Sequence, residues 1–275
     1  MCGHDCNTHD HQRQSQGDDF TQASSAQIDD RVKQLVRDGL SVYRVDAERL
    51  RELAPTVVLT QDHCEVCAAS TQDVEKALTE WVGEPPRLVS LDPRTLGDVW
   101  TDIGRVAEAL GAVDRGRALT EELAGRITEV AERTQRIRSR PSVACVEWID
   151  PLMAAGNWMP ELVLLAGGNP RFGEPGAHSP WLEWGELRTA DPDAIVVMPC
   201  GFDLARTRKE LPPLLEQPGF GALRAVQTGR VFLADGHQFM NRPGPRLVES
   251  LEILAELLHP DEFPPSHRGV GWEPL

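Results

Sequence analysis

The chain has 275 residues, 40% of them hydrophobic and 26% charged, with a formal net charge of -15, which is length enough for two lobes that each bury a core. Asp and Glu outnumber Lys and Arg by 43 to 28, and the basic residues stand singly, which argues against a phosphate-tracking surface and so against a nucleic-acid partner. No window approaches the roughly 18 apolar residues of a membrane span, and the six cysteines are not spaced as a disulfide scaffold.

Residues 1–25 are polar and lack apolar periodicity, so they read as a disordered Cys/His-rich tail. Ile28, Val32, Leu35 and Val36 then share one helical face, with Gly39 as a stop. SVYRV reads as a strand, Asp46 caps the helix AERLREL, and Thr56–Thr60 is a β-branched strand. After a loop, a helix through Val74, Ala77, Leu78 and Trp81 leads to the strand RLVSL, and this βαβ rhythm defines a first lobe.

From Asp114 to about Ser139 there is no proline, and Leu119, Leu123, Ile127, Val130, Thr134 and Ile137 recur at three- and four-residue spacings. About 24 helical residues reach roughly 36 Å, enough to run from one lobe to another as a rigid rod. Pro141 opens a second alternating region with strands VACVEW, AIVVMP and RVFLAD, followed by a helix from Pro245 through Leu258 and a proline-rich tail. The division is thus a tail at 1–25, an N-terminal α/β lobe at 26–112, a connecting helix at 113–139, a C-terminal α/β lobe at 140–262, and a C-terminal tail at 263–275.

Ligands of parallel α/β sheets collect beyond the carboxyl ends of strands. Four loops at such ends stand out: Gln61-Asp62-His63-Cys64-Glu65-Val66-Cys67, Glu147 to Asp150 with Asn157 and Trp158, Pro199 to Asp203 with Phe202, and Asp235 to Pro243 with Phe239 and Arg242. Their aromatic, sulfur and amide side chains suit a large flat ligand with polar groups at its edge. The lipase-type serine elbow, the phosphate loop and the zinc-protease helix motif are absent, so no enzyme activity is expected. Cys64 and Cys67 admit two readings, a thiol redox pair or half of a zinc site completed by Cys2 and Cys6 or His4 and His9.

Over residues 26–262 the chain resembles the class III substrate-binding proteins of cobalamin and iron-complex ABC importers, in the cobalamin-binding branch. The stretches that carry the likeness are SVYRVDAERLRELAPTVVLTQDHCEVCAAS, VEWIDPLMAAGNWMPELVLLAGG, DPDAIVVMPCGFDL and FMNRPGPRLVESLEILAELLHP. The resemblance implies two lobes of parallel sheet flanked by helices on one backbone helix, the helical-backbone metal-receptor or chelatase-like fold. It also implies an interlobe corrinoid ligand with no required cofactor, little hinge closure, and an extracytoplasmic monomer. Haem or an iron siderophore is the alternative ligand, and a cytoplasmic thiol or metal-handling enzyme built on Cys64 and Cys67 is the alternative of another class.

The likeness further implies that Trp181, Phe239 and Arg242 face the ligand and that Glu186 docks on arginines of the permease. His63 reads as a surface histidine or, alternatively, as a ligand to a corrinoid cobalt. Two departures stand out: the opening strand and helix of the first lobe are missing, which makes that lobe truncated, and Thr71 stands where a second docking glutamate is expected. As written the chain shows no charged-then-apolar leader, which by itself points to the cytoplasm.

Overall fold

The computed structural model describes residues 23–37, 45–62, 69–79, 81 and 83–275. The order begins α1 (Ser25–Arg37), α2 (Ala47–Leu53), β1 (Val57–Gln61), α3 (Thr71–Leu78), β2 (Arg87–Leu91), α4 (Leu96–Ala109) and α5 (Val113–Gln135). It continues β3 (Ser142–Trp148), β4 (Met153–Ala154), α6 (Met159–Leu165), β5 (Asn169–Pro170), α7 (Trp184–Ala190), β6 (Ala194–Val197), α8 (Leu204–Glu210) and α9 (Pro212–Leu215). Last come α10 (Arg224–Gln227), β7 (Val231–Ala234), a π-helical turn over Gly236–Met240, α11 (Leu247–Leu258) and β8 (Trp272–Pro274).

Local chemistry starts the helices of the first part. The Asp46 carboxylate accepts the Arg49 amide at the head of α2, and Ser70 with Asp73 forms a reciprocal capping box on α3. A second such box, Thr95 with Asp98, opens α4, a helix the sequence reading passed over. β1 and β2 pair in parallel from Val57 opposite Arg87 to Gln61 opposite Leu91, as a two-stranded sheet. The strand expected at SVYRV lies, except for Val45, outside the described residues, as do Gly39 and the tail up to Thr21 and Gln22.

The second sheet is the larger, in the order β4-β3-β6-β7-β8 with β5 also beside β3. β3, β6 and β7 run parallel, and every residue of β6 and β7 is buried because helices cover both faces. One face packs on Leu96 and Val99 of α4, Val130 of α5, Leu162 of α6 and Leu254 of α11. The other packs on Leu187, Leu211, Leu214, Phe220 and Leu223. This is the α/β architecture of parallel sheet flanked by helices.

One expectation about the long helix is corrected here. It ends at Gln135, short of Ser139, and Ile137 leaves the helix to pack on the core. Side chains tie α5 to its neighbours. Arg126 forks onto the Glu252 carboxylate of α11 with Nη2 2.8 and 2.9 Å from its oxygens, and Thr134 Oγ1 donates to the Leu165 carbonyl at 2.8 Å. Near its start Gly116 touches α4 so closely that a Cβ there would stand 2.4 Å from Ala107 Cβ.

Residues 263–275 are not a tail. Phe263 and Trp272 are buried, and β8 pairs antiparallel with β7 along one edge of the sheet. The anchor is Glu256 of α11. Its carboxylate, 4% exposed, accepts the Ser266 and His267 amides and Trp272 Nε1 at 3.0, 3.1 and 2.8 Å, and lies 2.8 Å from His267 Nδ1. A carboxylate so supplied with donors escapes the cost of burial.

Candidate functional site at the strand ends of the second lobe

Trp148 closes β3, Phe202 follows β6, and their rings meet with centroids 5.3 Å apart at 50°. Phe202 is itself buried, and the Arg206 guanidinium lies 4.1 Å over its ring, the i, i+4 spacing at the head of α8. Outside β3, Met153 pairs with Trp148 and forms a bridge to Trp181, whose side is 57% exposed. The Lys33 ammonium sits 4.9 Å above the Trp181 ring. The buried Trp148 Nε1 has no hydrogen-bond partner, so this end of the sheet holds an unused donor.

The loop after β7 lies on the loop after β6. Gly236 presses on Pro199 so tightly that a Cβ would be 2.0 Å from its carbonyl oxygen, while the Gly236 and His237 amides donate to the Phe202 carbonyl. Asn241 Nδ2 donates to the Met198 carbonyl at 2.8 Å, and Arg242 Nε donates to the His237 carbonyl at 2.6 Å. Arg242 is exposed at this end, and its charge is felt by Cys200. Arg246 donates to Gln238 Oε1 and stands over the Phe239 ring.

Glu147, one residue before Trp148, receives the Ser179 hydroxyl on Oε2 at 2.9 Å, and Ser179 in turn accepts the Gly156 amide at 3.1 Å. Enclosure dominates over these bonds and pushes the Glu147 carboxyl up to about 7. Burial likewise raises the Cys145 thiol to about 12, so it is inert as a nucleophile at neutral pH.

The other expected site residues divide. Asp150 is exposed beside this cluster. Trp158, however, is a core residue at 4% exposure, with Nε1 donating to the Met240 carbonyl at 3.0 Å, and Phe239 packs edge-on to His267. Asn157 is buried in a turn at φ 51°, its amide donating to the Ala177 carbonyl. Trp158 and Phe239 belong to the buried apolar cluster beneath this end of the sheet.

In the first lobe, Gln61 is half-buried at the end of β1. Asp62 accepts the Ser90 hydroxyl, the Thr71 hydroxyl and the Thr71 amide, and these bonds, Ser90's foremost, hold its carboxyl below the usual range. It thus ties β1, β2 and α3 together. His63, Cys64 and Cys67 lie outside the described residues. Among the described residues no group of three or more His, Cys, Asp or Glu is placed to hold a metal, and no helix is long and apolar enough to cross a membrane.

Glu186 stands exposed at the head of α7, its carboxylate accepting the Glu183 amide at 3.0 Å, beside an open depression of about 530 Å³ that Arg171 also lines. Lys33 and Arg206 were not among the expected site residues, and Glu147 was expected only as the first residue of the loop that ends β3. The Phe202-x-x-x-Arg206 spacing was a readable signal, whereas nothing in the sequence brings Lys33 to Trp181.

A family profile described as periplasmic binding protein matches residues 18–237. Among curated proteins, the uncharacterized ABC transporter substrate-binding lipoprotein YvrC of Bacillus subtilis (strain 168) is 24% identical over 80% of this chain and 67% of its own length. An ABC transporter substrate-binding protein from Listeria monocytogenes EGD-e superposes with a TM-score of 0.67 at 19% identity, covering 78% of this chain and 81% of that one. A periplasmic haem-binding protein from Pseudomonas aeruginosa does so with a TM-score of 0.64 at 20% identity, covering 88% and 83%.

Proposed function

Because this chain belongs to the periplasmic binding protein family, a family of binding proteins and not of enzymes, we propose that it captures a flat metal chelate carrying anionic groups and delivers it to an ABC importer. A thiol or metal-handling enzyme built on Cys64 and Cys67 falls away with that membership. The observation that carries the reading is local charge. In a chain of net charge -15, Lys33 stands over Trp181 and Arg206 over Phe202, with Arg242 and Arg246 on the adjoining segment after β7.

The exposed Trp181 ring offers stacking area to a macrocycle, and guanidinium groups pair with carboxylates at its edge. Haem, a planar chelate with two carboxylates, fits this rim better than a corrinoid whose side chains are neutral amides, and the Pseudomonas aeruginosa relative named for haem binding supports it. The corrinoid expectation is therefore the second reading, resting on the stretches around Trp148 and Arg242. On this reading the protein acts as a monomer outside the cytoplasm, with Glu186 exposed for an arginine of a permease.

Titration of the purified chain with hemin, followed by its Soret absorbance, and gel filtration with cyanocobalamin test the proposal. A saturable red-shifted Soret band with free passage of the corrinoid is expected. Retention of cyanocobalamin with no hemin spectrum would overturn haem in favour of the corrinoid.

A further inference from the structure

The N-terminal helix α1 lies across the end of the second lobe's sheet. At its start, Arg206 Nη2 donates to the Ala23 carbonyl at 2.9 Å, and the amide of the buried Ser25 donates to Glu210 Oε2 at 3.0 Å. Eight residues further on, Lys33 stands over Trp181. At 1.5 Å per residue that is about 12 Å of helix, enough to pass from α8, which follows β6, to the outer side of β4, where Trp181 bridges Met153.

Resting on the chelate-binding reading, we propose that α1 forms one wall of the ligand site and that Lys33 is a specificity-determining residue, pairing with a carboxylate at the edge of a macrocycle stacked beside Trp181. The ammonium is held in place before a ligand arrives. Asp29, four residues earlier, takes one of its donors at 2.7 Å, and the ring face below takes the charge, yet the lysine side chain keeps 45% of its surface open. An ammonium has three donors, so one bound carboxylate does not exhaust it.

The test uses the full chain as wild type, Lys33→Met, Lys33→Arg and Asp29→Asn, each titrated with hemin and with hemin dimethyl ester, which lacks the carboxylates. Lys33→Met should weaken hemin roughly tenfold or more, the range of a lost charge-assisted hydrogen bond. Lys33→Arg should restore most of that loss, and the ester should bind wild type and Lys33→Met alike. Asp29→Asn frees the lysine from its pair and should leave hemin binding equal or tighter. Equal hemin affinity in wild type and Lys33→Met would overturn the inference while leaving chelate binding intact, as would a loss in Asp29→Asn matching that in Lys33→Met. Failure of the wild type to bind either hemin or its ester would overturn the chelate reading itself, and this inference with it.

Discussion

A carboxyl enclosed at the end of β3 titrates far from its ordinary range. Glu147 goes from an ordinary value of 4.5 to about 7 in the folded chain, chiefly through burial. Between those values the folded chain keeps a proton that the unfolded chain has shed, so this group's contribution to stability falls as pH rises from 4.5 to about 7 and is constant beyond. Glu147→Gln keeps an acceptor for Ser179 and removes the charge. The variant should melt like wild type at pH 4.5 and higher than wild type at pH 8, by about 2–4 °C for each kcal/mol of relief. Melting temperatures that stay parallel across this range would show that the carboxylate ionises at no cost. At this scale the sequence was only half legible. Trp181 and Trp158 both read as ligand-facing aromatics, and what separates them is a long-range partner: the Met240 carbonyl draws Trp158 inward, whereas Trp181 stays 57% exposed.

Elements were more legible than side chains, where periodicity or β-branching was strong. β1, β2, β3, β6 and β7 fall where apolar runs placed them, and α11 follows its run of leucines. α4 escaped notice because Gly97 and Gly104 dilute its pattern, although the Thr95 and Asp98 capping box announces its start. β8 escaped because Pro274, sited near the chain's end, reads as a breaker, yet a strand at a sheet edge tolerates proline. What makes it a strand is tertiary: Trp272 lies edge-on to Phe232 at 5.7 Å and donates to Glu256. Trp272→Ala should therefore cost about 3–5 kcal/mol. Chemical denaturation should show that loss with hemin affinity unchanged, and a variant as stable as wild type would reduce β8 to an incidental pairing.

On the scale of the whole molecule the two sheets are unequal. The second has central strands, β6 and β7, with no exposed residue and helices on both faces, while the first has two strands among the described residues and leaves Leu59 47% exposed. Among the described residues, the charged and aromatic groups of the site come from the second lobe and from α1. Such recruitment cannot be read locally, because Lys33 and Trp181 are joined only by the folded path of the chain.

That inequality of the sheets bears on how the protein withstands heat. The small parallel pair depends on the Asp62 hub and shares little of the large interior, so the two halves should not come apart together. Scanning calorimetry should trace a shallow early shoulder before the main endotherm, and Asp62→Ala should move the shoulder alone; a single sharp peak shifting as one in that variant would mean the halves melt as a cooperative unit.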